Sequence, residues 1–86
     1  MEIVLDGNKI NSKDDLFTEF RKEFSDLYGN NLDALWDVLT YYKGKLKVLI
    51  INYSNLYKNL GEYINYLIAL FDDLKNENPE FEYSID

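Results

Sequence analysis

The chain has 86 residues, no cysteine and a net charge of −7, so we expect one domain over residues 1–86 that is stabilised by packing alone. The 47% hydrophobic content excludes a disordered chain. The acidic excess disfavours nucleic acid and anionic membranes as partners and favours a basic protein.

The first half of the chain predicts a strand followed by two helices. Residues 3–5 are typical of a short strand that ends at the turn formed by residues 6 and 7. Ser12 is a candidate N-cap for a helix that should end near residues 25–26. Either Asn30 or Asn31 can cap a second helix, predicted over about residues 32–41.

The second half predicts a strand, two helices and a last strand. Residues 47–51 are so continuously apolar that we expect a strand covered on both faces. Ser54 is a candidate cap for a short helix through Leu60, and Gly61 separates it from a longer helix over about residues 62–76. Apolar side chains at positions 81, 83 and 85 alternate with polar ones and predict a strand at a sheet edge.

This order of elements favours parallel strands joined by right-handed crossovers. We therefore expect an α/β fold, with a small three-stranded parallel sheet and about four helices packed mainly on one side. The start of the chain has no basic segment before a long apolar run, so we expect no secretory signal. Together with the absence of cysteine, this favours the reducing cytoplasm.

The second predicted helix carries acids that oppose a local helix preference. Asp33, Asp37 and Thr40 lie at i, i+4 and i+7 on one face, beside Trp36. Like charges four residues apart cost an isolated helix about 0.2–0.5 kcal/mol. Asp33 lies in the first turn, where the helix dipole favours an acid, but Asp37 does not.

The last predicted helix repeats this feature with Asp73 and Glu77, again at i and i+4. Negative charge at a helix C-terminus is disfavoured by about 0.3–1 kcal/mol. Two such pairs suggest a surface selected for binding rather than for stability. A solvated face in an acidic protein is the alternative interpretation.

Residues 28–40, YGNNLDALWDVLT, resemble the signature of the barstar family, intracellular inhibitors of barnase-type ribonucleases. A weaker likeness begins at residues 6–10, DGNKI, and continues through residue 20. The order of elements and the acid spacing of the last helix agree with the family to the C-terminus. The resemblance therefore covers essentially the whole chain.

The resemblance implies that the second helix and the loop before it enter the ribonuclease cleft. Asp37 matches the aspartate that occupies the site of a substrate phosphate, and Asp33 matches the acid that faces the guanine-contacting region. It further implies a 1:1 complex with a basic, extracellular-type ribonuclease and a chain that is monomeric when free. Further contact positions implied by the resemblance are Tyr28, Asn31, Trp36, Thr40, Tyr42, Asp73 and Glu77, where Asp73 replaces the family's usual glutamate.

The chain also departs from the family pattern. Leu27 stands where the family has a second aromatic residue, and Val38 replaces the motif cysteine. Tyr41 and Tyr42 stand where the family has glycine and tryptophan. Tyr42 retains a flat aromatic ring, whereas Tyr41 adds bulk at a tight rim. These changes bear on the identity of the target enzyme.

Two other functions compete with inhibition of a ribonuclease. The chain has no histidine and no cysteine, so the usual general base, thiol nucleophile and metal ligands are missing. We therefore expect neither an enzyme nor a cofactor or metal. The second alternative keeps the fold but changes the partner to a different toxin or another basic protein, and the sequence leaves it open.

Overall fold

The computed structural model describes residues 1–86 and confirms the predicted α/β fold. The three strands form one parallel sheet in the order β1-β2-β3, so the last strand lies at an edge as predicted. None of the helices is both long and apolar enough to cross a membrane. In chain order the elements are β1 (Glu2–Asp6), α1 (Lys13–Arg21), α2 (Leu32–Tyr41), β2 (Leu46–Ile51), α3 (Tyr53–Leu60), α4 (Tyr63–Glu77) and β3 (Phe81–Ile85).

The central strand β2 is covered on one face, and the prediction of cover on both faces is wrong. Leu46, Val48 and Ile50 are buried, whereas Lys47 is exposed and Leu49 is half-buried. Successive side chains of a strand point to opposite faces, so the helices bury one set and leave the other near solvent. Aliphatic side chains are common on protein surfaces, so an apolar run does not by itself predict burial on both sides.

The helices share one hydrophobic core with the covered face of the sheet. Phe20 of α1 packs on Phe71 of α4 with ring centroids 6.4 Å apart, and Phe71 packs on Phe81 of β3 at 5.6 Å. Aromatic pairs at these distances add to the burial of apolar area. The core therefore ties α1 and α4 to the sheet and provides a rigid base for α2, whose Leu35 and Leu39 are buried in it.

The predicted caps of α1 and α2 are confirmed. The Asp15 backbone N–H donates to the Ser12 hydroxyl at 3.1 Å, and the Ala34 N–H donates to Asn31 Oδ1 at 2.8 Å. Such side-chain caps satisfy backbone donors that the first turn of a helix leaves free. The start of α2 is thus fixed by Asn31, two residues before the first acid of the helix, Asp33.

Two predicted boundaries are wrong. The helix α1 ends at Arg21, with Lys22 as its C-cap, and not near residues 25–26. Phe24 is buried in the core although it lies three residues beyond the end of α1. An apolar residue at helical spacing from Phe20 therefore does not require that the helix continue to it. Asn52, not Ser54, precedes α3, with a left-handed φ of 54° that asparagine tolerates better than most residues.

The turn after β1 packs directly against the start of α3. A Cβ added at Gly7 would lie 2.1 Å from the Asn52 carbonyl oxygen, so only glycine fits there. The Asp6 carboxylate accepts hydrogen bonds from Asn52 Nδ2 at 2.8 Å and the Asn8 N–H at 2.9 Å. These two bonds lower the pKa of Asp6, the one from Asn52 having the larger effect.

Candidate partner-binding surface

The acidic face of α2 points to solvent without a cationic partner. Asp33 and Asp37 are exposed, and neither side chain forms a hydrogen bond or an ion pair within the chain. The buried Leu35 and Leu39 on the other side of the helix determine this orientation. Both carboxylates are therefore available to an external cationic partner.

The loop before α2 is held by Arg21 at the end of α1. Its Nε donates to the Leu27 carbonyl and its Nη2 to the Gly29 carbonyl, each at 3.1 Å, and Nη2 also donates to Asn30 Oδ1. Gly29 adopts a φ of 86°, which glycine reaches without a steric cost. The loop thus has a defined shape, and it displays Tyr28 with 80% of its side chain exposed. Sequence reasoning missed this role of Arg21, since nothing in the chain order links it to a loop six to nine residues away.

Trp36 and Thr40 contribute less free surface than the two aspartates. Trp36 is half-buried against the core. The Thr40 hydroxyl donates to the Trp36 carbonyl at 2.8 Å within the helix, so its proton already has an acceptor. What Thr40 offers a partner is therefore its hydroxyl oxygen as an acceptor and its methyl group.

A shallow groove of about 270 Å³ runs between α2 and α4, and we call it the α2–α4 groove. It brings Asp33, Trp36 and Asp73 together, as a shared binding surface requires. It also contains Tyr66, which is 62% exposed and which sequence reasoning missed. The available signal was its spacing, because Tyr66 and Asp73 are seven residues apart and lie on one helix face. The remaining lining residues are Leu32, Ala69 and Leu70.

Asp37 and Tyr42 line a different groove on the other side of α2, formed with the segment that follows α1. We call this second concavity, of about 370 Å³, the α1–α2 groove. Glu77 is exposed at the last residue of α4 and lines neither groove. The predicted residues therefore do not form one pocket. The α1–α2 groove is lined by Glu23, Phe24, Ser25, Asp26, Asp37, Val38, Tyr41 and Tyr42.

Comparison with known proteins identifies the family of this chain. A family model described as "Barstar (barnase inhibitor)" matches residues 1–85. The chain belongs to the barstar family. It is also similar to a Bacillus subtilis (strain 168) protein named "Putative ribonuclease inhibitor YrdF", with 30% identity over 91 aligned residues that cover 99% of this chain and 98% of that protein. The family resemblance seen in residues 28–40 is thus confirmed over the whole fold.

The departures from the barstar pattern have different structural consequences. Leu27 is only 1% exposed, so it is a core residue and offers no contact in place of the aromatic. Tyr42 packs edge-on against Phe24, with ring centroids 5.6 Å apart, and its hydroxyl donates to the Lys45 carbonyl at 3.4 Å. Tyr41 is 86% exposed. Of these positions in this barstar-family chain, Tyr41 therefore has the most side-chain surface free for a partner.

A further groove lies outside this region. A groove of about 400 Å³ near the N-terminus is lined by Lys45, Lys47, Glu80 and Glu82 among others, and it contains none of the predicted site residues. No three potential ligand side chains lie close enough together to hold a metal ion. The candidate surface presents carboxylates and aromatic rings to a partner.

Proposed function

We propose that this barstar-family protein inhibits a barnase-type ribonuclease by placing the carboxylates of α2 in the enzyme's cationic active-site cleft. The observation that supports this most strongly is the pair of exposed, unneutralised carboxylates of Asp33 and Asp37 on one face of a capped helix. Membership of the barstar family and a relative named as a ribonuclease inhibitor point to the same target class.

The chemistry of ribonucleases explains why carboxylates suit this role. Such an enzyme stabilises a phosphodiester under attack, so its cleft presents preorganised positive groups. A carboxylate accepts charge-assisted hydrogen bonds from arginine, lysine or histidine in much the same way as a phosphate oxygen. Asp37 takes the position of the substrate phosphate in this proposal, and Asp33 lies beside it, one helical turn away.

The rigidity of the surface limits the entropy lost on binding. The Asn31 cap and the Arg21 contacts hold the loop and the first turn of α2 before any partner arrives. A preorganised surface loses less conformational entropy on association than a flexible one. The Asn31 cap engages only its Oδ1, which leaves the Nδ2 group free to donate to the enzyme alongside the Tyr28 ring.

The charge of the whole molecule assists the encounter. With a net charge of −7, the protein attracts a basic ribonuclease over a distance, and we expect the association rate to fall as salt is added. Asp73 extends the acidic surface from the α2–α4 groove, and Glu77 adds to it one turn further along α4. In this proposal the inhibitor is a cytoplasmic protein without enzymatic activity. It is monomeric when free and binds the ribonuclease in a 1:1 complex.

An inhibition titration tests this proposal. Increasing amounts of the protein are added to a barnase-type ribonuclease while RNA cleavage is followed, and we expect cleavage to stop at one equivalent. The Asp33→Asn, Asp37→Asn double variant should inhibit at least roughly 30-fold more weakly, because two charges are lost with almost no change in shape. As a control, Glu82→Gln with Asp86→Asn removes two charges from β3 and the chain end and should inhibit nearly as well as the intact protein.

The titration also separates the two possible targets. Cleavage that continues in the presence of excess protein would overturn the ribonuclease as the partner. Neutralisation of a different basic toxin by the same protein, with the same loss in the double variant, would then assign the surface to that toxin.

A further inference from the structure

The α1–α2 groove contains surface that the predicted binding positions leave out. Of its eight lining residues only Asp37 and Tyr42 belong to the predicted set. Its volume of about 370 Å³ exceeds the roughly 30 Å³ occupied by one water about tenfold, so it has room for a long side chain. Half of its lining residues are apolar or aromatic, namely Phe24, Val38, Tyr41 and Tyr42.

The rim of this groove is negatively charged and has no cation. Glu23, Asp26 and Asp37 are its charged lining residues, and no lysine or arginine lines it. The ion pairs of the chain are Lys22–Glu19 and Lys47–Glu82, so none of these three carboxylates is neutralised within the molecule. A groove lined by apolar side chains and carboxylates matches an arginine or lysine side chain, which has an aliphatic stem and a charged end.

Tyr41 adds an aromatic wall at the same place. It lies one helical turn after Asp37 and is 86% exposed, so its ring does not contribute to the core. Aromatic rings attract lysine and arginine through the face of the ring, and tyrosine is enriched among the residues that dominate binding energy at interfaces. The Tyr41 side chain forms no hydrogen bond and no aromatic pair within the chain.

We propose that the α1–α2 groove is a second docking subsite, which receives a lysine- or arginine-bearing segment of the ribonuclease beside the cleft that Asp37 enters, and that Tyr41, Glu23 and Asp26 select among target enzymes. This inference rests on the proposed function. Asp37 borders the groove, so the subsite is continuous with the surface that blocks the cleft. The aliphatic part of the enzyme segment lies against Val38 and Tyr41, and its charge lies between the carboxylates.

Two changes test the subsite in the same ribonuclease titration. Tyr41→Ala removes the aromatic wall, and the Glu23→Gln, Asp26→Asn double variant removes two rim charges without changing shape. We expect each protein to inhibit at least tenfold more weakly than the intact chain, and Tyr41→Phe to inhibit nearly normally because it keeps the ring. All three side chains are exposed, so thermal unfolding should stay near that of the intact protein.

The controls separate a specific subsite from the general field of an acidic protein. Glu82→Gln with Asp86→Asn changes the net charge by the same amount at β3 and the chain end, outside the α1–α2 groove, and it should lose little inhibition. Equal losses in the two charge pairs, or unchanged inhibition by Tyr41→Ala, would overturn the subsite while leaving the proposed function intact. Failure of the intact chain to inhibit the ribonuclease would overturn both.

Discussion

Replacing Asp37 with alanine should make the protein more stable and its proposed activity much weaker. Asp37 lies in the middle of α2, is exposed, and has no hydrogen bond or ion pair through its side chain. Its removal ends the repulsion with Asp33, worth about 0.2–0.5 kcal/mol, and introduces a better helix former, worth up to about 0.7 kcal/mol. The free energy of unfolding should therefore rise by about 1 kcal/mol at most.

A gain of that size is measurable in a domain of this length. It corresponds to an increase of about 4–8 °C in the midpoint of thermal unfolding, followed by circular dichroism. In the ribonuclease titration the same variant should lose more than about 2 kcal/mol of binding free energy, or roughly 30-fold in affinity. If Asp37 is retained for binding, its replacement should raise the stability of the protein and weaken its inhibition of the ribonuclease.

Asp37→Asn separates the two contributions to stability. Asparagine has a helix propensity close to that of aspartate, so only the charge repulsion is relieved and the rise should be about 0.2–0.5 kcal/mol. The loss of inhibition should remain large because the amide carries no charge. A clear fall in the stability of Asp37→Ala would show that the side chain supports the fold, and normal inhibition by it would refute phosphate mimicry.

Three further changes test other parts of the structure. Gly7→Ala places a methyl group 2.1 Å from the Asn52 carbonyl oxygen, and urea unfolding should show a loss of stability at or above the roughly 1–3 kcal/mol typical of overpacking. Arg21→Lys removes the fork that binds the loop before α2, so inhibition should weaken several-fold, measured by titration, and the lost hydrogen bonds should also lower the thermal midpoint. The hydrogen bond that Tyr83 donates to Asp72 raises the pKa of Tyr83 to about 12, so its contribution to stability is complete below the unfolded pKa of about 10 and is lost as the pH rises through about 12.

Each of these three expectations has an outcome that contradicts it. An unchanged unfolding midpoint in Gly7→Ala would mean that the turn can move away from α3. Full inhibition by Arg21→Lys would show that the loop holds its shape without the guanidinium group. The stability of Tyr83→Phe should depend less on pH between pH 10 and 12 than that of the intact protein. Identical curves would show that Tyr83 does not contribute to this pH dependence.

Local signals were enough to predict the order of elements and several of their ends. Ser12 caps α1 as expected, and Asn31, one of the two asparagines predicted as candidates, caps α2, because an N-cap depends on a side chain and a backbone donor two or three residues away. The parallel sheet follows from the alternation of strands and helices. The acids of α2 could be placed on one face because helical periodicity holds over a few residues.

Only the tertiary structure decided which surfaces meet. Asp33 shares a groove with Tyr66 and Asp73, and Asp37 shares another with Glu23 and its neighbours, because α4 and the turn after α1 pack beside α2. Sequence distance carries no information about such packing, nor about which face of β2 the helices cover. The sequence by itself thus determined the helices, the strands and the acidic face of α2. The grooves on either side of that face depend on long-range packing, which local propensity and periodicity do not encode.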